Sequence, residues 1–133
     1  MSSRSKAREQ VIQILYLQEQ SKLTVDQAWT FFQVNFETFD RETPFIRSRF
    51  YGVVEKQEIL DTKISESSNN WKLSRIPKVD KNILRLGIFE LLFCEDVPRS
   101  VVIDEAIELA KKFGEEKSSK FINGILDHVA KSI

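Results

Sequence analysis

Residues 80–94 carry Ile83, Leu84, Leu86, Ile88, Phe89, Leu91, Leu92 and Phe93, which cover most of the circumference of a helix. A helix that is apolar on nearly every side has no face to give to water. This segment therefore predicts the buried centre of a helical bundle. The rest of the chain supplies suitable neighbours. In residues 4–20, Ala7, Val11, Ile14, Leu15 and Gln18 fall on one stripe at 100° per residue, with Tyr16 off it. A second helix starts at Thr24, with Gln27 in the capping-box position, and runs through Ala28, Trp29, Phe32 and Phe36. A third starts at Thr43, with Pro44 in its first turn, and carries the stripe Ile46, Phe50, Val53, Leu60 and Ile64. Beyond the central helix, Pro98 marks a break. Ser100 is expected to cap the next helix and Gly114 to stop it. The last helix follows Ser118 and buries Ile122, Ile125, Leu126 and Val129.

The helical period lapses only at residues 37–42, 65–70 and 95–99. The chain thus reads as all-α, one domain over residues 1–133 made of two small helical bundles. The polar run Ser-Glu-Ser-Ser-Asn-Asn at 65–70 predicts the boundary between an N-terminal subdomain of about residues 1–66 and a C-terminal one of about residues 70–133. Trp71, Leu73 and Ile76 fall in a short segment that ends at Pro77.

Catalytic signals are poor. His128 is the only histidine, so a histidine-based metal site is excluded by count. There is no glycine-rich phosphate loop. Asp104, Glu105 and Glu108 are ordinary helix-surface neighbours. Cys94 is the only cysteine, which rules out an intramolecular disulfide, suits a reducing cytoplasm and reads as a buried, inert thiol. The longest apolar stretch, residues 86–94, is interrupted by Glu90 and too short to span a bilayer. A binding protein without catalytic residues, metal or cofactor is the expectation.

Net charge is zero, but the charges are segregated. Arg4, Lys6 and Arg8 against Glu9 make the first ten residues basic. Lys111, Lys112, Lys117 and Lys120 outweigh Glu115 and Glu116. The stretch 90–108 is acidic. Arg4, Lys6 and Arg8 precede or open the first helix, where positive charge is mildly unfavourable. A short basic arm can instead meet phosphates. Lying ahead of the first strong apolar positions, these charges are expected to support little core packing. Tyr16 is placed either to stack on a base or to pack on another helix. Lys120 and Phe121 open the last helix, with Phe121 at the edge of its stripe. Asp80 and Lys81 open the central helix, as plain helix-start charges or as contacts. Gly124, inside a helix, costs roughly 1 kcal/mol relative to alanine and predicts a close packing contact.

Four stretches carry a further signal. Residues 6–16 read Lys-Ala-Arg-Glu-Gln-Val-Ile-Gln-Ile-Leu-Tyr, and residues 83–92 read Ile-Leu-Arg-Leu-Gly-Ile-Phe-Glu-Leu-Leu. Residues 103–114 read Ile-Asp-Glu-Ala-Ile-Glu-Leu-Ala-Lys-Lys-Phe-Gly, and residues 120–127 read Lys-Phe-Ile-Asn-Gly-Ile-Leu-Asp. In order and spacing they resemble the NusB family of bacterial transcription antitermination factors. Departures are small: Ser5 interrupts a basic arm that is often richer in arginine, and Gly87, Phe89 and Asp104 stand where alanine, tyrosine and asparagine are usual.

The resemblance implies two perpendicular helical subdomains. It also implies a partner, NusE, which is also a small ribosomal subunit protein. The pair would bind single-stranded boxA RNA in nascent ribosomal transcripts and help RNA polymerase pass terminators. On that basis Arg4, Lys6, Arg8, Tyr16, Lys120 and Phe121 are the candidate RNA contacts, and Asp80 and Lys81 the candidate partner contacts. Members of such a family occur as monomers or homodimers. Two other readings stand beside this one. One is a helical protein-interaction module with little RNA affinity of its own. The other is the RNA-targeting domain of a ribosomal RNA methyltransferase, for which 133 residues leave no catalytic domain.

Overall fold

The structure, a computed structural model, describes residues 3–36, 40–69 and 72–133. Among them lie seven α-helices, two short 3₁₀ turns and no strand. The chain divides into two compact units, Met1–Glu55 and Lys56–Ile133.

The N-terminal unit holds α1 (Ser3–Ser21), α2 (Val25–Asn35), a 3₁₀ turn at Asp40–Glu42 and α3 (Thr43–Glu55). α1 turns the predicted stripe inward, burying Ala7, Val11, Ile14 and Leu15 against α2 and α3. Thr24 caps α2 as the sequence requires. Its side chain accepts from the Gln27 N–H at 3.1 Å, and the Gln27 side chain accepts from the Thr24 N–H at 3.0 Å. Trp29, Phe32 and Phe50 stack in the core. Tyr51 Oη donates to Asp26 at 2.6 Å, tying α3 to α2.

The C-terminal unit holds α4 (Gln57–Ser67), a 3₁₀ turn at Leu73–Arg75, α5 (Lys78–Phe93), α6 (Arg99–Phe113) and α7 (Ser118–Lys131). α5 is the centre, packed by α4, α6 and α7, and every residue from Asn82 to Glu90 is buried. Phe93 departs from the expected all-round burial. It sits exposed at the end of α5 under the Lys56 ammonium, 5.3 Å from the ring centre. Arg85 crosses from α5 to α4 and holds Asp61 through two bonds, 2.7 and 3.0 Å long. The N–H of Gly114 closes α6 on the Ala110 carbonyl, as expected of a stop residue.

Several expectations are corrected. The stripe from Ile46 to Ile64 is not one helix: α3 ends at Glu55 and α4 starts at Gln57. Lys56 between them has φ −97 and ψ 11, near enough to helical values to leave the apolar phase intact, and no Pro or Gly marks the break. The packing boundary therefore lies at residues 55–56 and not at 65–70, because Leu60 and Ile64 of α4 are buried in the unit centred on α5. Residues 65–67, expected as loop from their polarity, are the last turn of α4. Ser100 is not a cap; α6 begins at Arg99 after Pro98. Gly124 is exposed and has nothing within 4 Å of where a Cβ would stand. A close approach within a helix is made instead at Gly87, whose added Cβ would lie 3.0 Å from Leu126. Residues 37–39 of one predicted break, Asn70 of the polar run, and Trp71 lie outside the described residues.

Two stability changes of opposite sign follow. Leu86→Ala empties a fully buried site in α5 and is expected to cost about 2–5 kcal/mol in chemical denaturation. A loss below about 1 kcal/mol would contradict the placement of the core. Gly124→Ala is expected to stabilise α7 by about 0.5–1 kcal/mol, since it removes backbone entropy at an exposed mid-helix site with no neighbour to disturb. Destabilisation would contradict the open surroundings of Gly124.

Candidate nucleic-acid interface

In the N-terminal unit the basic residues are not a loose arm. From Ser3 onward the chain is helix, and Arg8 is only 3% exposed. Its guanidinium lies 5.3 Å from the centre of the Phe45 ring, with those of Arg4 and Arg49 at 4.2 and 4.3 Å. Arg4 also donates to the buried carboxylate of Glu42 at 2.9 Å. The expectation that these charges support little packing is thus wrong for Arg8, and Arg4 is shared with Glu42. The sequence could not show this, because Glu42 and Phe45 lie nearly forty residues downstream. Lys6, between them, is exposed. Tyr16 is 44% exposed on α1, off the buried stripe as predicted.

In the C-terminal unit three candidates come together. Asp80 on the first turn of α5 and Lys120 and Phe121 on the first turn of α7 line one cleft of about 700 Å³ with Ile76, Pro77 and Ser118. The turn Glu115–Lys117 completes its rim. Lys81, the other candidate on α5, does not line it. The cleft is built by one hydroxyl. Ser118 Oγ accepts from the Glu115 N–H at 2.9 Å and donates to Asp80 Oδ2 at 2.9 Å. That chain of bonds pins the start of α7 to the start of α5. Gly114 is part of the fit, since a Cβ there would meet Ser118 at 2.7 Å. Lys117 and Lys120 are exposed at the N-terminus of α7, whose first turn carries no acidic residue. Two cations there oppose the helix dipole, at about 0.3–1 kcal/mol each.

Asp80 is not the surface charge that its position at a helix start suggests. It is 4% exposed, and its Oδ1 is buried with no donor among the described residues. Leaving such an acceptor unmet costs about 1–3 kcal/mol. Sequence reasoning misses Lys117 and Ser118. The sequence shows Lys117 only as part of a basic run and Ser118 only as the start of the last helix, which is common at any helix start.

Burial pushes the Asp80 carboxyl above its usual range; the Ser118 hydrogen bond opposes this and the Glu115 charge adds to it. A raised carboxyl binds its proton more tightly in the folded state than in the unfolded one. Its contribution to stability is therefore full below the ordinary aspartate range and is lost as pH rises through the raised value. Asp80→Asn removes that titration. Compared by urea denaturation, the variant should gain on the native chain as pH rises from the acid side towards neutrality. A gain that shrinks as pH rises would contradict the assignment.

Comparison with known proteins fits this architecture. The NusB family model matches residues 5–131. Transcription antitermination protein NusB of Trichlorobacter lovleyi is 42% identical, over 97% of this chain and 91% of that one. The protein of the same name from Bacillus subtilis is 40% identical, over 98% and 96%. Among solved structures, T. maritima NusB matches with a TM-score of 0.87 at 35% identity, over 98% of this chain and 92% of that one. A chain in a crystal structure of antitermination factors NusB and NusE with dsRNA matches at 0.86 and 25% identity, over 100% and 99%. With the family model spanning nearly every residue and relatives aligned over almost their whole length, this chain belongs to the NusB family of transcription antitermination proteins.

Proposed function

We propose that this chain is an RNA-binding antitermination factor that pairs with NusE, binds the single-stranded boxA element of nascent ribosomal RNA in the cytoplasm, and helps RNA polymerase read through terminators. One observation carries the reading on this chain itself. The cleft at the start of α7 puts an aromatic ring, two exposed lysines and a buried carboxylate around a space of about 700 Å³. Single-stranded RNA is bound by such combinations: cations meet phosphates while unstacked bases lie on aromatic faces and are read at their edges. The family membership and the solved complex of NusB with NusE and dsRNA support NusE and RNA as partners. A chain without a polyanion-binding role gains nothing from two lysines set against a helix dipole.

Arg8 is unsuited to testing this, because removing it disturbs the Phe45 cluster. Lys6, Lys117 and Lys120 are exposed, and their replacement leaves the packing alone. The variant in which all three become serine, titrated with single-stranded boxA RNA at several salt concentrations, should bind more weakly. Its log–log salt dependence should flatten by roughly 0.7 for each phosphate no longer neutralised, about 2 if all three lysines contribute. NusE binding measured without RNA should change far less. Unchanged RNA affinity and slope would favour the other reading, a helical protein-interaction module of the same fold.

A further inference from the structure

We propose that Glu42 is a positioning residue for RNA binding: it holds the basic first turn of α1 in place and aims Arg4 at a backbone phosphate. This rests on the RNA reading above and adds to it a residue too buried to meet RNA itself. The first turn of a helix is the least favourable place for cations, and that of α1 carries no acidic residue of its own. Glu42, at the end of the 3₁₀ turn before α3, supplies the missing acid from 38 positions downstream of Arg4. Both of its oxygens are committed there. Oε1 accepts from Ser3 Oγ at 3.2 Å and Oε2 from Arg4 Nε at 2.9 Å. The Glu42 side chain is only 8% exposed, so it is a fixed anchor and not a mobile surface charge.

The geometry of Arg4 separates holding from binding. Glu42 takes one bond from it, through Nε, whereas Asp61 takes two from Arg85. The guanidinium carbon lies over the Phe45 ring, 4.2 Å from its centre. With its plane held by the ring and Nε held by Glu42, Arg4 keeps its two terminal nitrogens on a side chain that is 50% exposed. Those nitrogens can meet phosphate oxygens in a planar fork. A contact is precise only when bonds and packing behind it lock the side chain that makes it. Without them a chain terminus frays and its arginine loses rotamer freedom on binding, so ordering it in advance gains roughly threefold to tenfold in affinity. Charge alone would act in the opposite direction. A carboxylate near a phosphate repels it, so its removal would tighten RNA binding. Positioning and repulsion therefore predict opposite signs.

The full chain and its variants are titrated with single-stranded boxA RNA. Glu42→Ala should weaken binding roughly threefold to tenfold, although it removes a negative charge. Glu42→Gln, whose amide oxygen still accepts from Arg4 Nε, should recover most of that loss. In an Arg4→Ala background, Glu42→Ala should bring no further weakening, a pattern that a general loss of packing would not reproduce. Unchanged or tighter binding by Glu42→Ala would overturn the assignment to Glu42 and leave the RNA reading intact. An equal loss in both backgrounds would do the same. A native chain that binds no boxA RNA would overturn both. One measurement uses only the native chain without RNA, so it stands even if a variant misfolds. The Arg4 Nε–H signal should show a ¹⁵N–¹H NOE as high as that of the α1 backbone. An Nε as mobile as that of an unheld surface arginine would overturn the assignment.

Discussion

The enclosure of α5 on nearly all sides governs the C-terminal unit. A helix apolar round most of its circumference demands neighbours on several sides, and α4, α6 and α7 answer that demand. The consequence reaches back along the chain. Because Leu60 and Ile64 are needed against this centre, α4 belongs with the helices that follow it, and Arg85 fixes it there through Asp61. The start of α7 is likewise set by α5, through Ser118 and Asp80. The cleft is therefore a by-product of how the bundle closes at one end.

Of the buried charged residues of α5, Arg85 and Asp80 are handled differently. Arg85 is bonded to both carboxylate oxygens of Asp61 and to Asn82. Such a pair directs packing because its alternatives leave a charge unmet. Asp80 is half met, and its orphan oxygen belongs to a residue that lines the cleft. Asn82 Nδ2 on the same helix is also buried without a partner among the described residues, so each of these atoms carries a local cost to stability. The lysines at the α7 N-terminus point the same way, since they too oppose local helix energetics.

Much of the fold is legible in the sequence because helical period and burial are the same fact seen twice. The α1 stripe, the Thr24–Gln27 capping box, the Gly114 stop and the buried residues of α7 all follow from local pattern. What pattern cannot show is a break that preserves phase. Lys56 is such a break, and the polar run beyond α4 is the more conspicuous but mistaken boundary. Nor can pattern show pairing between distant residues. Arg8 reads as a free basic residue unless Phe45 is known to lie beside it, and Asp80 as a helix-start charge unless Ser118 is. The family resemblance brings Lys120, Phe121 and Asp80 into view, while the hydrogen bond that holds the last of these joins residues 38 positions apart.

The central claim is that RNA enters the cleft between the starts of α5 and α7. Amide chemical-shift mapping of the full chain with single-stranded boxA RNA tests it most directly. The largest shifts should fall at Asp80 and across residues 115–121, with saturation at one affinity. Shifts confined to the exposed Phe31 and Val34 surface of α2, with Ser118 and Phe121 unmoved, would contradict it.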